Sequence, residues 1–210
     1  HSGRCACAQE TMDLLQVTYA GPQLDDPELF DLLPAELKAL LEQVNGFIQF
    51  GGGLHIRGAC RDPEWHSLRR AWMSEHAFHN YYRAMGATDI PFGQDYLGNQ
   101  FILRDGLVAK MEAEMGHITE FNLTLPDFIE AVQADPQTTL YLDPLQAYIA
   151  ESGSLEPGEL LQADPPLCSD QALEGFNLIR KPAVQHQADM RRFYTKIKLL
   201  SDTGRINAKK

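Results

Sequence analysis

Apolar residues recur at helical spacing in several stretches of this chain. The clearest stretch follows Pro34, where three leucines and a valine fall on one helical face before Asn45 and Gly46 supply a stop. Other stretches predict helices over residues 62–85, after Thr124, over residues 145–150 and over residues 183–200. The apolar sides of these helices are expected to form the core.

Short apolar runs bounded by glycine predict strands between the helices. Residues 47–50 and 54–56 indicate two strands joined through three glycines, and residues 90–115 indicate a meander with an Asp-Gly hairpin turn. Residues 152–166, rich in Gly and Pro, predict a surface connection. We therefore expect the α+β class, as a mainly antiparallel sheet with helices packed on one side.

Turn-forming residues divide the chain into three parts. Residues 1–27 predict an N-terminal lead-in segment, residues 28–153 the main α+β domain, and residues 154–210 a C-terminal extension packed on the same domain. The length of 210 residues and the hydrophobic content of 44% are enough to bury a core without disulfides or a structural metal.

Charge narrows the choice of partner. The chain has a formal net charge of −11. Residues 178–210 hold nine basic and two acidic residues, so residues 1–177 hold nine basic against 27 acidic ones, a net charge of −18. Such a body repels nucleic acid and favours a basic protein partner, because the summed surface charge steers encounter. The alternative is that the acidity serves solubility alone.

The sequence contains no signal for a membrane or for disulfides. No apolar run is long enough to span a membrane and the start lacks a signal peptide, so we expect a cytoplasmic protein without membrane contact. The four cysteines have spacings that fit neither a zinc ribbon nor a redox motif, which predicts free thiols. They are Cys5, Cys7, Cys60 and Cys168.

Catalytic motifs are incomplete. His66, His76 and His79 could meet on one side of the helix predicted over residues 62–85, but H-E-x-x-H is absent. No G-x-S-x-G motif and no cysteine in a recognised catalytic setting occur either. We therefore predict no catalytic residues, no metal and no cofactor. An enzyme built around Glu75, His76 and His79 is the minor alternative.

Five residues are candidates for partner binding. Glu112 and Glu114 lie two apart on a predicted strand, where they would share a face and form a negative stripe with Glu120. Trp65 and Trp72 lie on the apolar side of the helix predicted over residues 62–85. Tryptophans in that position usually belong to the core, but either could anchor a partner instead.

The order of motifs resembles the SUKH superfamily. The resemblance rests on the helix ending in Val44-Asn45-Gly46, the glycine-rich strands after it, the run IPFGQDYLGNQFIL at residues 90–103, and the apolar strand at residues 107–111. It covers residues 33–132 and implies that residues 28–153 form a SUKH-like α+β domain. Members include bacterial proteins that protect cells against toxins and a yeast regulator of cell-wall synthesis. The resemblance implies protein binding without catalysis.

Two functions follow as expectations. The first is an immunity protein that binds and neutralises a cognate bacterial toxin, expected to be a nuclease, delivered by a secretion or contact-dependent system. The second is a non-catalytic regulatory scaffold with a housekeeping protein partner. The identity of the toxin and the oligomeric state are left open.

Overall fold

The main sheet is an antiparallel meander of seven strands. A computed structural model describes residues 14–203 of the chain. Spatial order follows chain order from the first strand to the seventh, so each strand pairs with its sequence neighbours. The strands are β1 Val17–Ala20, β2 Phe47–Gln49, β3 Leu54–Ile56, β4 Ile90–Gln94, β5 Gln100–Arg104, β6 Leu107–Met111 and β7 Ile118–Leu123.

Helices and a separate hairpin complete the described chain. The hairpin pairs β8 Glu159–Asp164 with β9 Asn177–Pro182 in antiparallel register. The α-helices are α1 Pro27–Asp31, α2 Ala35–Gln43, α3 Leu68–Met73, α4 Leu125–Ala134, α5 Pro136–Leu140, α6 Asp143–Ser152 and α7 Ala183–Asp202. No helix within residues 14–203 has the length and apolarity needed to cross a membrane.

Both faces of the main sheet are covered. Phe101 of β5 lies in the larger apolar cluster, where its ring centroid is 5.0 Å from that of Phe128 in α4. Ile102, the next residue, points the other way and lies in a second cluster with Tyr82 and with Tyr194 of α7. The predicted α+β class with an antiparallel sheet is confirmed. Helices contribute to both faces rather than to one, because Ala71 of α3 and Tyr194 of α7 belong to the second cluster.

Local start signals place two helices correctly. Pro34 precedes α2, which begins at Ala35 and buries Leu37 against the core. The Thr124 side chain accepts a hydrogen bond from the Asp127 N–H at 3.3 Å and caps α4. These residues act within one turn of the helix that they start, so the sequence pattern is sufficient to predict them.

The long helix predicted over residues 62–85 is wrong, since only α3 and a short 3-10 turn occur there. The Gly58 N–H donates to the His66 carbonyl at 3.0 Å, and the Leu68 N–H donates to the Gly58 carbonyl at 2.9 Å. Residues 61–66 form bends and turns beside this bridge, Ser67 caps α3, and Ser74 ends the helix with an extended backbone. His66 therefore does not share a helical face with His76 and His79.

The surface connection predicted over residues 152–166 is also wrong, because β8 occupies its second half. Leu161 of β8 is fully buried in the larger cluster, and its N–H donates to the Tyr96 carbonyl at 2.8 Å. Near the N-terminus, β1 lies inside the segment predicted as a lead-in and pairs with β2 at the sheet edge. Both β8 and β1 pair with strands that are distant in the sequence.

Candidate functional site

Glu112 and Glu114 lie in the turn between β6 and β7. The Glu112 N–H donates to the His117 carbonyl at 2.9 Å, and the Gly116 N–H donates to the Glu112 carbonyl at 2.8 Å. Gly116 has a φ of +67°, a conformation that glycine adopts without a steric penalty. The prediction that both glutamates lie on a strand is wrong, because this turn ends the ladder at Met111.

The two glutamates nevertheless line the same cavity, which has a volume of about 360 Å³. Lys110 of β6 and Phe121 of β7 form one side of it, and β8 and α7 form the other. This size is within the range of small-ligand pockets, roughly 300–1,000 Å³. Further lining residues used below are Leu161, Gln162, Cys168, His186 and Met190.

Glu114 fixes the loop that closes one end of the cavity. Its carboxylate accepts hydrogen bonds from the backbone N–H groups of Leu167 and Cys168 at 3.0 and 2.8 Å. Burial and the neighbouring Glu114 charge raise the pKa of the Cys168 thiol to about 11. The thiol therefore stays protonated near neutral pH, which is unfavourable for a nucleophile.

His186 of α7 is a buried residue in the wall of the cavity. Its side chain is 1% exposed, and it hydrogen bonds to the backbone of Leu161. Because the Leu161 N–H already donates to Tyr96, the Leu161 carbonyl must be the acceptor, so the bonded ring nitrogen of His186 carries a proton. The other nitrogen, Nδ1, is buried and has no partner within residues 14–203. Burial lowers the pKa of His186 to about 4, which keeps the ring neutral.

Gly98 allows the turn before β5 to approach this ring. A Cβ atom at Gly98 would lie 2.6 Å from His186 Cε1, and Gly98 has a φ of +76°. Both facts favour glycine at this position. The close approach fixes the imidazole from the side opposite α7.

Lys110 is the cationic side chain of the cavity, and its charge is already balanced. Its ammonium lies 2.8 Å from the carboxylate of Asp95, which is 1% exposed. Asp95 also accepts hydrogen bonds from the Leu97 and Asn99 N–H groups at 2.9 and 3.0 Å. The pair is held in place by the β4–β5 turn. The carboxylates of Glu112 and Glu114 therefore decide the charge of the cavity.

Trp65 lies at a second, smaller cavity of about 180 Å³. Its ring packs between Tyr19 at 5.1 Å and His55 at 5.3 Å, measured between centroids. A Cβ atom at Gly158 would lie 2.8 Å from the indole nitrogen, so the C-terminal hairpin closes tightly on this ring. Trp65 is half-buried and belongs to an aromatic cluster rather than to a helix face.

His55 and His66 form a hydrogen-bonded line that starts at Gln94 and ends at the Asn45 carbonyl. The distances are 3.1 Å from Gln94 Nε2 to His55 Nδ1, 2.8 Å from His55 Nε2 to His66 Nδ1, and 2.9 Å from His66 Nε2 to Asn45 O. Because a carbonyl oxygen only accepts, the proton of His66 must lie on Nε2, and His55 must donate to His66. All four ring nitrogens are thus used while both rings are neutral.

Burial keeps both rings of this line neutral. It lowers the pKa of His66 to about 4 and that of His55 well below its ordinary value. Neither ring can take up a proton without losing a hydrogen bond, so the line lacks the free acceptor that a general base needs.

Trp72 and Glu120 lie apart from both cavities. Trp72 packs against the larger cluster, and its indole N–H donates to the Ala87 carbonyl at 3.0 Å. Glu120 is exposed on β7 and lines a separate depression beside Arg104. The structure therefore brings together two of the five candidate partner-binding residues, Glu112 and Glu114.

Within residues 14–203, the candidate metal ligands do not come together in one place. No group of three or more His, Cys, Asp or Glu side chains within residues 14–203 is placed to hold a metal ion. Cys60 and Cys168 are free thiols. Cys5 and Cys7 lie outside the described residues.

Sequence reasoning missed His186 and Gln162, which lie at this cavity. Helical periodicity marks Met190 as an apolar position of α7, and His186 precedes it by one helical turn on the same buried side. That spacing could have indicated a buried histidine. Nothing in the sequence indicates that its Nδ1 lacks a partner, because this depends on β8 and on the β4–β5 turn.

Comparison with known proteins supports the fold and gives no information about the site. No family model matches the chain, and no curated protein matches it. The crystal structure of Atu4351 from Agrobacterium tumefaciens is similar over 82% of this chain and 81% of its own, with a TM-score of 0.52 and 10% sequence identity. At this identity the similarity shows a shared fold alone. The resemblance to the SUKH superfamily stays a prediction.

Proposed function

We propose that the protein is an immunity protein of the cytoplasm, which binds and neutralises a bacterial toxin of the nuclease class. The observation that supports this most directly is the position of Glu112 and Glu114. Both carboxylates line one cavity of a chain whose net charge is −11. An acidic recess of this kind is complementary to a basic protein surface.

The proposed mechanism is occupation of the surface with which the toxin binds nucleic acid. A nuclease needs a basic surface for a polyphosphate substrate. An acidic protein is steered to that surface by long-range attraction and excludes the substrate once it is bound. Neutralisation then requires no chemical step in the immunity protein.

Three features of the site favour binding over catalysis. The pKa of the Cys168 thiol is raised to about 11, so the thiolate is scarce. Every ring nitrogen of the His55–His66 line already has a partner. Lys110 is held by Asp95 at 2.8 Å. The Cys168 thiol, the two histidines of this line and the Lys110 ammonium are thus either protonated or already partnered.

A rescue experiment tests the proposed function. The product of the gene beside this one would be expressed from an inducible promoter in a host that lacks both genes. We expect growth arrest with fragmented nucleic acid, and recovery of growth when this chain is co-expressed.

The control is the same host with an unrelated acidic protein, which should not restore growth. A neighbour without toxicity, or toxicity that this chain does not relieve, would contradict the proposal. A growth defect on deletion of this gene in the absence of any toxin would support the scaffold function instead.

A further inference from the structure

The loop that joins β8 to β9 exposes several apolar side chains. Leu173, in a short 3-10 turn of this loop, is 87% exposed, more than any other large apolar residue within residues 14–203. Leu167 and Phe176 of the loop and Ile179 of β9 are also exposed. Single exposed apolar residues are normal, but a group of them in one segment marks an interaction surface.

The exposure of Leu173 occurs in an ordered loop. The two ends of the loop, residues 165–176, are adjacent because the last residue of β8 is paired with the first residue of β9. Within the loop, the Ala172 N–H donates to the Ser169 carbonyl and the Gly175 N–H donates to the Ala172 carbonyl, both at 3.2 Å. These turns hold Leu173 at the surface, in the manner of binding loops that a rigid scaffold positions.

The loop is acidic and contains no lysine or arginine. Asp170 and Glu174 lie in it, Asp164 directly precedes it, and all three are exposed. The sequence has no lysine or arginine from residue 111 to residue 179. The exposed apolar side chains are therefore accompanied by negative charge, a combination that is complementary to a surface both basic and apolar.

The loop is continuous with the acidic turn between β6 and β7. The Glu114 carboxylate accepts hydrogen bonds from the N–H groups of Leu167 and Cys168 at 3.0 and 2.8 Å. This contact places the loop beside the turn that contains Glu112 and Glu114, the two residues that support the proposed function. A partner bound at the acidic turn therefore lies beside the loop.

We propose that the β8–β9 loop is the apolar anchor of the toxin interface, and that Leu173 inserts into an apolar pocket on the basic surface of the toxin. This inference rests on the proposed function and deepens it, since it names the segment and the kind of contact that hold the toxin. In protein interfaces a few desolvated anchors carry most of the binding energy, whereas exposed charges mainly speed association.

Binding of a basic, apolar peptide tests this inference without the toxin. The probe is a peptide with blocked ends that is built only of leucine and lysine, and its control has serine in place of every leucine. We expect the leucine–lysine peptide to bind about tenfold more tightly than the serine–lysine peptide. Attraction by charge alone would bind both peptides equally, because their lysines are the same.

Two leucine variants locate the binding. Leu173→Ala should weaken binding of the leucine–lysine peptide by about tenfold, because the anchor is lost. Leu199→Ala is the matched control and should leave binding unchanged, since Leu199 is 62% exposed but lies beside Arg191 and Lys196 of α7. Both variants should melt like the unchanged chain, because both side chains are exposed. In the rescue experiment, Leu173→Ala should reduce protection and Leu199→Ala should not.

Each result supports or overturns the inference. Equal binding of the two peptides, or equal effects of Leu173→Ala and Leu199→Ala, would overturn it and leave overall acidity as the basis of binding. Self-association in sedimentation that Leu173→Ala abolishes would assign the loop to a second copy of the chain and overturn the role of the toxin. Full protection by Leu173→Ala would contradict this inference alone, and peptide binding at Leu173 without rescue would contradict the proposed function alone.

Discussion

Single buried histidines couple the stability of this protein to pH. The pKa of His66 and that of His186 are each lowered to about 4, mainly because burial disfavours the charged ring. In the unfolded chain both return to the ordinary histidine pKa of about 6.5. Between these values the unfolded chain binds protons that the folded chain does not, so the free energy of unfolding decreases as the pH falls.

We predict a loss of roughly 2 kcal/mol for each of these histidines between pH 7 and pH 5. Urea unfolding at both pH values measures it. His186→Leu should reduce the pH dependence relative to the unchanged chain, because it removes one of the two rings. An unfolding free energy that is constant from pH 7 to pH 5 would be incompatible with neutral, buried rings.

At the scale of secondary-structure elements, the hairpin of β8 and β9 contributes to the core. Leu161 of β8 is 0% exposed and lies in the larger apolar cluster. We predict that Leu161→Ala lowers the free energy of unfolding by about 2–5 kcal/mol, the usual cost of a large-to-small change in a core. Chemical denaturation measures this directly.

Leu173 provides the matched control for that substitution. It lies between β8 and β9 and is 87% exposed. Leu173→Ala should change the free energy of unfolding by less than about 0.5 kcal/mol, as exposed substitutions usually do. Similar small effects of both substitutions would show that the hairpin is only a loose appendage.

Elements with local signals could be predicted from the sequence, and elements that depend on distant partners could not. Pro34 and Thr124 mark the starts of α2 and α4 because they act within the first turn. Residues 62–85 have helical periodicity, but residues 61–66 form bends and turns beside the bridge between Gly58 and Ser67. The sequence of β8 contains no local signal that predicts a strand. This strand forms by pairing with β9, which begins 13 residues after β8 ends.

The candidate site could be predicted only in part, for the same reason. The pattern of acidic residues identified Glu112 and Glu114, although it placed them on a strand instead of in a turn. It also grouped Glu120 with them, and the structure places Glu120 at another depression. Lys110 and His186 line the cavity because of tertiary packing, which the spacing of residues in the sequence does not predict.

At the scale of the whole molecule, charge is distributed unevenly along the chain. Residues 1–177 have a net charge of −18, and the basic residues are concentrated from residue 178 onward. One of these basic groups, the guanidinium of Arg191, lies over the rings of Phe78 and Tyr81 at 4.9 and 4.6 Å and keeps its positive charge. A basic partner is therefore expected to approach the acidic cavity rather than the exposed side of α7.

The central claim is that the partner binds at this cavity and is not attracted only by overall acidity. Glu112→Lys and Glu120→Lys change the net charge by the same amount, so long-range steering is altered equally in both variants. The decisive measurement is the dissociation constant of each variant for the toxin identified by rescue, at one fixed salt concentration. We predict that Glu112→Lys weakens binding about tenfold more than Glu120→Lys does. Equal losses in the two variants would contradict the claim and leave overall charge as the basis of binding.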